Sequence, residues 1–282
     1  MNYKIPIADL IRRRRSSRSY GKRALEPEKR EQLTNFFNNL EMPFWGNSPR
    51  FDLVDIGPPG KGRIPGTYGL IKGAGIFLVG AMKRGHRDME DFGYLFEQIV
   101  LFATELDLAT CWIGVTVARG PLEDKINLLS HETIPAVTPL GYPAKHRALS
   151  ETAARASMGA AKRKPWKDLF FDGALGVPLD QQATGDYAIP LEMVRLGPSA
   201  TNKQPWRIIR KNGAFHFFLQ RAAGYIKMTD AADIQRIDMG IAMCHFELAA
   251  RELSLSGDWA ETGSWDEPLP KKCEYIVSWL EN

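Results

Sequence analysis

Apolar positions along the chain follow two spacings. Behind Glu26-Pro27, residues Leu33, Phe36, Phe37 and Leu40 fall at i, i+3, i+4 and i+7, which predicts a helix with proline in its first turn. The runs 51–56 and 76–79 are short, apolar and rich in branched residues, and predict strands. From Asp91 to Leu106, residues Phe92, Leu95, Phe96, Ile99, Val100, Phe102 and Ala103 leave almost no polar face. A helix apolar nearly all round is a buried one. Val137 to Tyr142 predicts another strand, closed by Pro143. Residues 144–164 are rich in Ala, Ser and basic side chains and read as a crossing segment.

The second half predicts the same order: a helix at about 189–196, strands at 206–210 and 214–219, a long helix at about 233–253 and a strand at 274–280. The match extends to residues. Glu105-Leu106-x-Leu108-x-x-x-Trp112 recurs as Glu252-Leu253-x-Leu255-x-x-x-Trp259, an offset of 147, and Pro43-x-x-x-Asn47 recurs as Pro198-x-x-x-Asn202, an offset of 155. Solenoid repeats have periods of roughly 20–50 residues, so an offset this long points to a duplicated half-domain. The expected organisation is α+β: a first half over 1–150, a crossing segment over 151–165 and a second half over 166–282.

Composition narrows the function classes. The 282 residues are 44% hydrophobic and 25% charged, as in globular proteins. The net charge of +4 gives no ground for a nucleic-acid partner but leaves room for local anion sites. Cys111, Cys244 and Cys273 lie far apart, which predicts reduced thiols in a cytoplasmic protein. No secretory leader is read at the N-terminus, no run is long enough for a membrane span, and five scattered histidines argue against a metal site.

Three segments carry candidate chemistry. Pro198-Ser199-Ala200-Thr201-Asn202-Lys203-Gln204-Pro205-Trp206 begins with turn formers and offers two planar amides, Asn202 and Gln204, each with a donor and an acceptor. That suits a flat heterocycle met at its edge; an ordinary helix-to-strand loop is the plain alternative. Near the N-terminus stands Arg14-Arg15-Ser16-Ser17-Arg18-Ser19-Tyr20, and after the first long helix Leu108-Ala-Thr-Cys-Trp-Ile-Gly114, with Leu140-Gly141-Tyr142-Pro143 beyond it.

Together these motifs resemble the FMN-dependent nitroreductase family, in its duplicated single-chain, Thermotoga-type branch. The resemblance covers most of the chain and implies a nitroreductase-like α/β sandwich. Family members are homodimers with FMN across the interface, one subunit giving the arginine motif and the T-C-W-I-G-like turn, the other the S-x-x-N-x-Q-P-W loop. Here each motif occurs once, in different halves. Pro43-Phe-Trp-Gly-Asn-Ser-Pro49 stands where a second loop belongs, and Leu169-Phe-Phe-Asp-Gly-Ala174 where second arginines belong. The resemblance therefore implies an intrachain pseudodimer, functional as a monomer, with one flavin site kept.

By the same resemblance Arg14, Arg15 and Ser16 approach the FMN phosphate and ribityl chain, and Arg18 the pyrimidine end, where a cation stabilises the charge of the reduced ring. Arg12 and Arg13 read as solvated charge. Cys111, Trp112, Ile113 and Gly114 form the turn facing the isoalloxazine, with the Ile113 N–H expected near N5. Pro198, Ser199, Asn202 and Gln204 reach the ring from the second half, and Trp206 reads as core. Arg163, in Lys162-Arg163-Lys164-Pro165, reads either as a late phosphate ligand or as surface charge. Cys111 reads as an inert buried thiol rather than a nucleophile, and Gly66-Thr67-Tyr68-Gly69 as a turn on the substrate side. The implied activity is reduction of a nitroaromatic, quinone or similar small-molecule electron acceptor, with NADH or NADPH as reductant. Two alternatives remain open: a flavin-binding protein without turnover, and a basic module for nucleic acid or anionic surfaces.

Overall fold

The computed structural model describes residues 3–60, 71–114, 120–145, 159, 162–222, 232–262, 265 and 268–282. In chain order come α1 (Ile7–Arg13), α2 (Pro27–Asn38), β1 (Arg50–Asp55), β2 (Ile76–Lys83), α3 (Asp88–Glu105), α4 (Gly120–Lys125), β3 (Glu132–Thr133) and β4 (Val137–Leu140). There follow β5 (Phe170–Asp172), α5 (Ala188–Leu196), β6 (Trp206–Lys211), β7 (Ala214–Gln220), α6 (Ile234–Glu252), β8 (Gly257–Ala260) and β9 (Cys273–Glu281). The turn at 66–69 and most of the crossing segment lie outside the described residues.

Every element predicted from periodicity over the described residues is present, with ends shifted by a few residues. Pro27 opens α2 in its first turn, where its missing N–H has no partner to lose. Sequence patterning missed α1, α4, β3, β5 and β8, each seven residues or fewer and too short to complete a period.

The elements form two sheets. In the first, β2 pairs antiparallel with β1, β3 and β4; in the second the order is β5-β6-β7-β9-β8, antiparallel except for β5 and β6. Alternation along β2 sends Leu78 and Met82 to α3, and Phe77, Val79 and Ala81 to the opposite core. In β7, Phe215, Phe217 and Leu219 pack on α6 with Phe246 and Trp279. Each sheet thus covers one long helix, and the two helices cover each other.

Their crossing is set by glycine. A Cβ on Gly93 of α3 would stand 2.2 Å from the carbonyl oxygen of Ile237, and one on Gly240 of α6 would stand 2.0 Å from that of Glu90. No side chain fits either position, so the backbones touch. The contact is reciprocal, because Gly93 and Gly240 are 147 residues apart, and so are Glu90 and Ile237. Residue i meeting j while j meets i is the pattern of a two-fold interface.

The same pairing recurs two residues before each glycine of the crossing. Asp91 of α3 accepts from the backbone N–H groups of Trp45 (3.3 Å) and Asn47 (2.9 Å) and from the Asn47 side chain (2.9 Å). Asp238 of α6, again 147 residues on, accepts from the backbone N–H of Ala200 (2.9 Å). Each long helix therefore pins one loop, 43–49 or 198–206, with a buried carboxylate. Burial pushes the Asp91 carboxyl up to about 6, against the pull of the Asn47 and Trp45 donors. Burial raises Asp238 well above the usual carboxylate range.

Gly240→Ala should lower stability by about 1–3 kcal/mol, since the new methyl forces the helices apart; the shift of the urea midpoint checks it, and an unchanged midpoint would contradict the close crossing. Asp91 titrates higher in the folded protein than its unfolded value near 4, so its contribution to stability is full below about pH 4 and is lost as the pH rises through about 6. A carbon-13 titration of its carboxyl should give a midpoint near the latter value, and a midpoint near 4 would show that the loop donors outweigh burial.

Candidate functional site

The arginine motif begins where α1 ends. Beyond Arg14 the backbone is extended and laced to the first half: Ser16 bridges Thr110, the Ser17 N–H donates to Thr110 O (2.8 Å), the Lys72 N–H donates to Arg18 O (2.8 Å) and the Tyr20 N–H to Lys72 O (2.9 Å). The Tyr20 hydroxyl adds a bond to Ser17 O (2.9 Å). Of the four candidates here, Arg14 is buried at 7% exposure, Ser16 and Arg18 are half-buried and Arg15 is exposed.

The turn after α3 runs alongside. The Cys111 N–H donates to Thr138 Oγ1 (2.8 Å), and Ile113 exchanges both backbone bonds with Val137 at 2.9 Å. This corrects one expectation: the Ile113 N–H is held by β4 and does not point to a ligand. Successive residues of an extended segment alternate in direction, so Trp112 and Gly114 turn their N–H groups the other way. Cys111 is buried, its Sγ 3.8 Å from Trp112 O, as an inert thiol is. A Cβ on Gly114 would lie 3.2 Å from Ile234 Cγ2, which sets this turn of the first half against the start of α6.

The loop 198–206 is locally strained. Thr201, Asn202 and Gln204 all take positive φ (47°, 57° and 47°), a region that non-glycine residues rarely enter and that clusters at functional sites. Internal bonds hold it there. Ser199 Oγ accepts from the Gln204 N–H (2.9 Å), and the Asn202 amide donates to Gly159 O (2.7 Å) and Lys162 O (2.9 Å). Gln204, 3% exposed, accepts from the Lys164 N–H (2.8 Å) and donates to Asn202 O (3.1 Å). The amides expected to grasp a heterocycle are thus braces that shape the loop, because the residues following Gly159 bring competing backbone partners. Pro198 and Ser199 are half-buried, and Trp206 is buried in the core.

Arg163 falls between its two readings. It donates to Asn202 Oδ1 (3.3 Å) and to Leu196 O (3.1 Å), which ties the end of the crossing segment to the loop and to the C-terminus of α5. Beside it, burial and the neighbouring Arg207 lower the Lys164 amine to about 8.

The groups that join the two halves were missed by sequence reading. Glu97 of α3 is fully buried; its Oε2 accepts from Trp112 Nε1 (2.7 Å), and its Oε1 lies 3.0 Å from His245 Nε2 and 3.9 Å from Arg14 Nε. His245 of α6, also fully buried, reaches Met193 O of α5 through Nδ1 (2.9 Å). One carboxylate therefore meets the arginine motif, the turn and, through α5, the stem of the 198–206 loop. The available signal was a charged residue within the largely apolar run from Phe92 to Ala103, which demands a buried partner.

The donor set fits a ligand with a phosphate dianion and a flat ring system. Arg14, Arg15, Arg18 and Arg163 carry guanidinium groups, the donor type that holds phosphate through charge-assisted bonds; Arg14 lies by Glu97, Arg163 by the strained loop, and Arg15 donates to the Arg14 carbonyl (2.9 Å). The corresponding place on the opposite side of the helix pair is different. There a cavity of about 540 Å³ lies between loop 43–49 and Trp259, and its described lining carries Glu41, Asp91, Glu247, Glu252 and Asp258 against one cation, Arg251. Trp259 Nε1 donates to Glu247 (2.6 Å) much as Trp112 does to Glu97. Among the described residues there is no cluster that could hold a metal ion, and no helix long and apolar enough to cross a membrane.

The chain covers a putative nitroreductase from Thermotoga maritima with a TM-score of 0.63 and 21% identity, over 100% of this chain and 96% of that one. An FMN-dependent nitroreductase from Clostridium difficile (22% identity, TM-score 0.40) matches over 51% of this chain and 92% of its own. A nitroreductase of Desulfovibrio desulfuricans in complex with FMN (21%, 0.40) matches over 53% and 96%. No curated protein matches the chain. The family model described as "Putative TM nitroreductase" matches residues 6–250. The chain belongs to that nitroreductase family.

Proposed function

We propose that the chain is an FMN-dependent oxidoreductase reduced by NADH or NADPH, with one flavin site built from both halves of an intrachain pseudodimer. The observation that carries this reading is the Glu97 node, where Arg14 and Trp112 of one half meet His245 of the other and, through it, Met193 O of α5, the helix that leads into the 198–206 loop. The reciprocal contacts of Gly93 and Gly240 support the two-fold relation of the halves 1–150 and 166–282.

In this site Arg14, Arg15, Ser16 and Arg163 hold the phosphate, and Arg18 faces the pyrimidine end. Gly114 takes over the role expected of Ile113, presenting an N–H where no Cβ blocks close approach. Asn202 and Gln204 act at one remove by keeping Pro198 and Ser199 in a strained, preformed loop. Bound FMN supplies the hydride chemistry. A nicotinamide and then a conjugated acceptor, such as a nitroaromatic or a quinone, occupy the same face in turn. Glu97, the carboxylate beside Arg14, is enclosed, and solvent is the proposed proton source for the acceptor. The protein is proposed to act in the cytoplasm as a monomer.

Anaerobic addition of NADH or NADPH to the flavin-loaded protein should bleach the flavin absorbance with at least one donor. Failure with both would favour a flavin-binding protein without turnover. The double change Arg14→Ala with Asn202→Ala should abolish FMN retention, because it removes a phosphate cation from one half and the loop brace from the other; full flavin occupancy in that variant would rule out a site shared between the halves.

A further inference from the structure

Hydrogen-bond chemistry fixes where a proton lies in the node. Met193 O only accepts, so the His245 Nδ1 at 2.9 Å must carry hydrogen. A neutral imidazole with hydrogen on Nδ1 presents a lone pair at Nε2. That lone pair would then face Glu97 Oε1, 3.0 Å away. Two acceptors do not sit at that distance, so a proton lies between them. Either His245 is an imidazolium paired with the Glu97 carboxylate or Glu97 is a carboxylic acid donating to His245. Both side chains are fully buried, and the pair spans α3 and α6. Arg14 Nε at 3.9 Å from the same oxygen favours the ionised carboxylate.

The pair also has two mechanical ends. On one side Glu97 holds Trp112 Nε1 and Arg14. On the other, His245 closes the last turn of α5, where a cation suits the helix dipole, and Arg163 takes the neighbouring carbonyl of Leu196. The chain passes from that turn through Gly197, whose absent Cβ would lie 2.9 Å from Val194 O and 3.6 Å from His245 Nδ1, into Pro198 and the strained loop.

We propose that Glu97 and His245, sharing one buried proton across the two halves, are the positioning residues that set Arg14 and Trp112 relative to the 198–206 loop, and so preform the flavin site. This rests on the flavin reading above. Glu97→Gln keeps the size of the side chain but removes the charge and the need for the shared proton. It should weaken FMN binding about tenfold or more, as expected for loss of a bond to a charged group, with the fold retained by circular dichroism. His245→Asn, which keeps a donor for Met193 O and drops the link to Glu97, should weaken FMN similarly. Glu247→Gln is the control: it disturbs another buried, tryptophan-bonded carboxylate, held by Trp259, Tyr94 and Arg251, and should leave FMN affinity unchanged.

The spectroscopic signature is independent of flavin. Nitrogen-15 NMR of His245 should show hydrogen on Nδ1 in the wild type, and an Nε2 shift to the bare, pyridine-like form in Glu97→Gln. An unprotonated Nδ1, wild-type FMN affinity in Glu97→Gln, or equal weakening in Glu247→Gln would each overturn the proposal. A wild-type protein that binds no FMN would instead overturn the flavin reading, and this proposal with it.

Discussion

Two helices can bring their backbones into contact only where no Cβ stands between them, and Gly93 and Gly240 provide that opening in α3 and α6. Because the contact is reciprocal, it fixes both the distance and the rotation of one helix relative to the other. Everything that bears on function hangs from this crossing. Two residues before the glycine on each helix a buried aspartate pins a loop, and farther along Glu97 and His245 face each other across the same seam. The two sheets then wrap the pair from outside, each burying the face its helix does not present to its partner.

The two sides of the helix pair differ in charge. On one side the chain supplies Arg14, Arg15, Arg18 and Arg163; on the other, carboxylates outnumber cations around an open cavity. A phosphate dianion placed in the second would meet like charge, which costs more in a partly desolvated cleft than in water. The two places thus offer an anion different electrostatic environments. Trp112 and Trp259, 147 residues apart, each donate to a buried glutamate, but to non-equivalent ones: position 97 pairs with Cys244 at that offset, and position 247 with Val100.

Much of this was legible in the sequence. The all-round apolar run from Phe92 to Ala103 specified a central helix, and the recurrence of Glu-Leu-x-Leu and Pro-x-x-x-Asn specified its partner and the paired loops. The pairing of the loops with Asp91 and Asp238 followed no local signal, since hydrogen bonds between residues more than thirty positions apart depend on the tertiary fold. Ile113 was misread because its N–H belongs to a strand-like bridge with Val137 that no periodicity announces. Asn202 and Gln204 were read as ligands from their chemistry, but their amides are equally able to satisfy nearby backbone groups, and the residues of the crossing segment lie close enough to claim them. Glu97 and His245 were passed over because each is one of several polar residues on its helix, beside Asp91 and Gln98 on α3 and Asp238 and Glu247 on α6; only the crossing puts them face to face.

The claim that one end of a duplicated frame kept its flavin site is tested most directly by the ratio of FMN to polypeptide in the saturated protein, from the flavin absorbance and quantitative amino-acid analysis. A ratio of one is predicted. A ratio of two would show that the acid-lined cavity also holds the cofactor and would contradict the electrostatic argument, and a ratio near zero at saturating FMN would contradict the site itself.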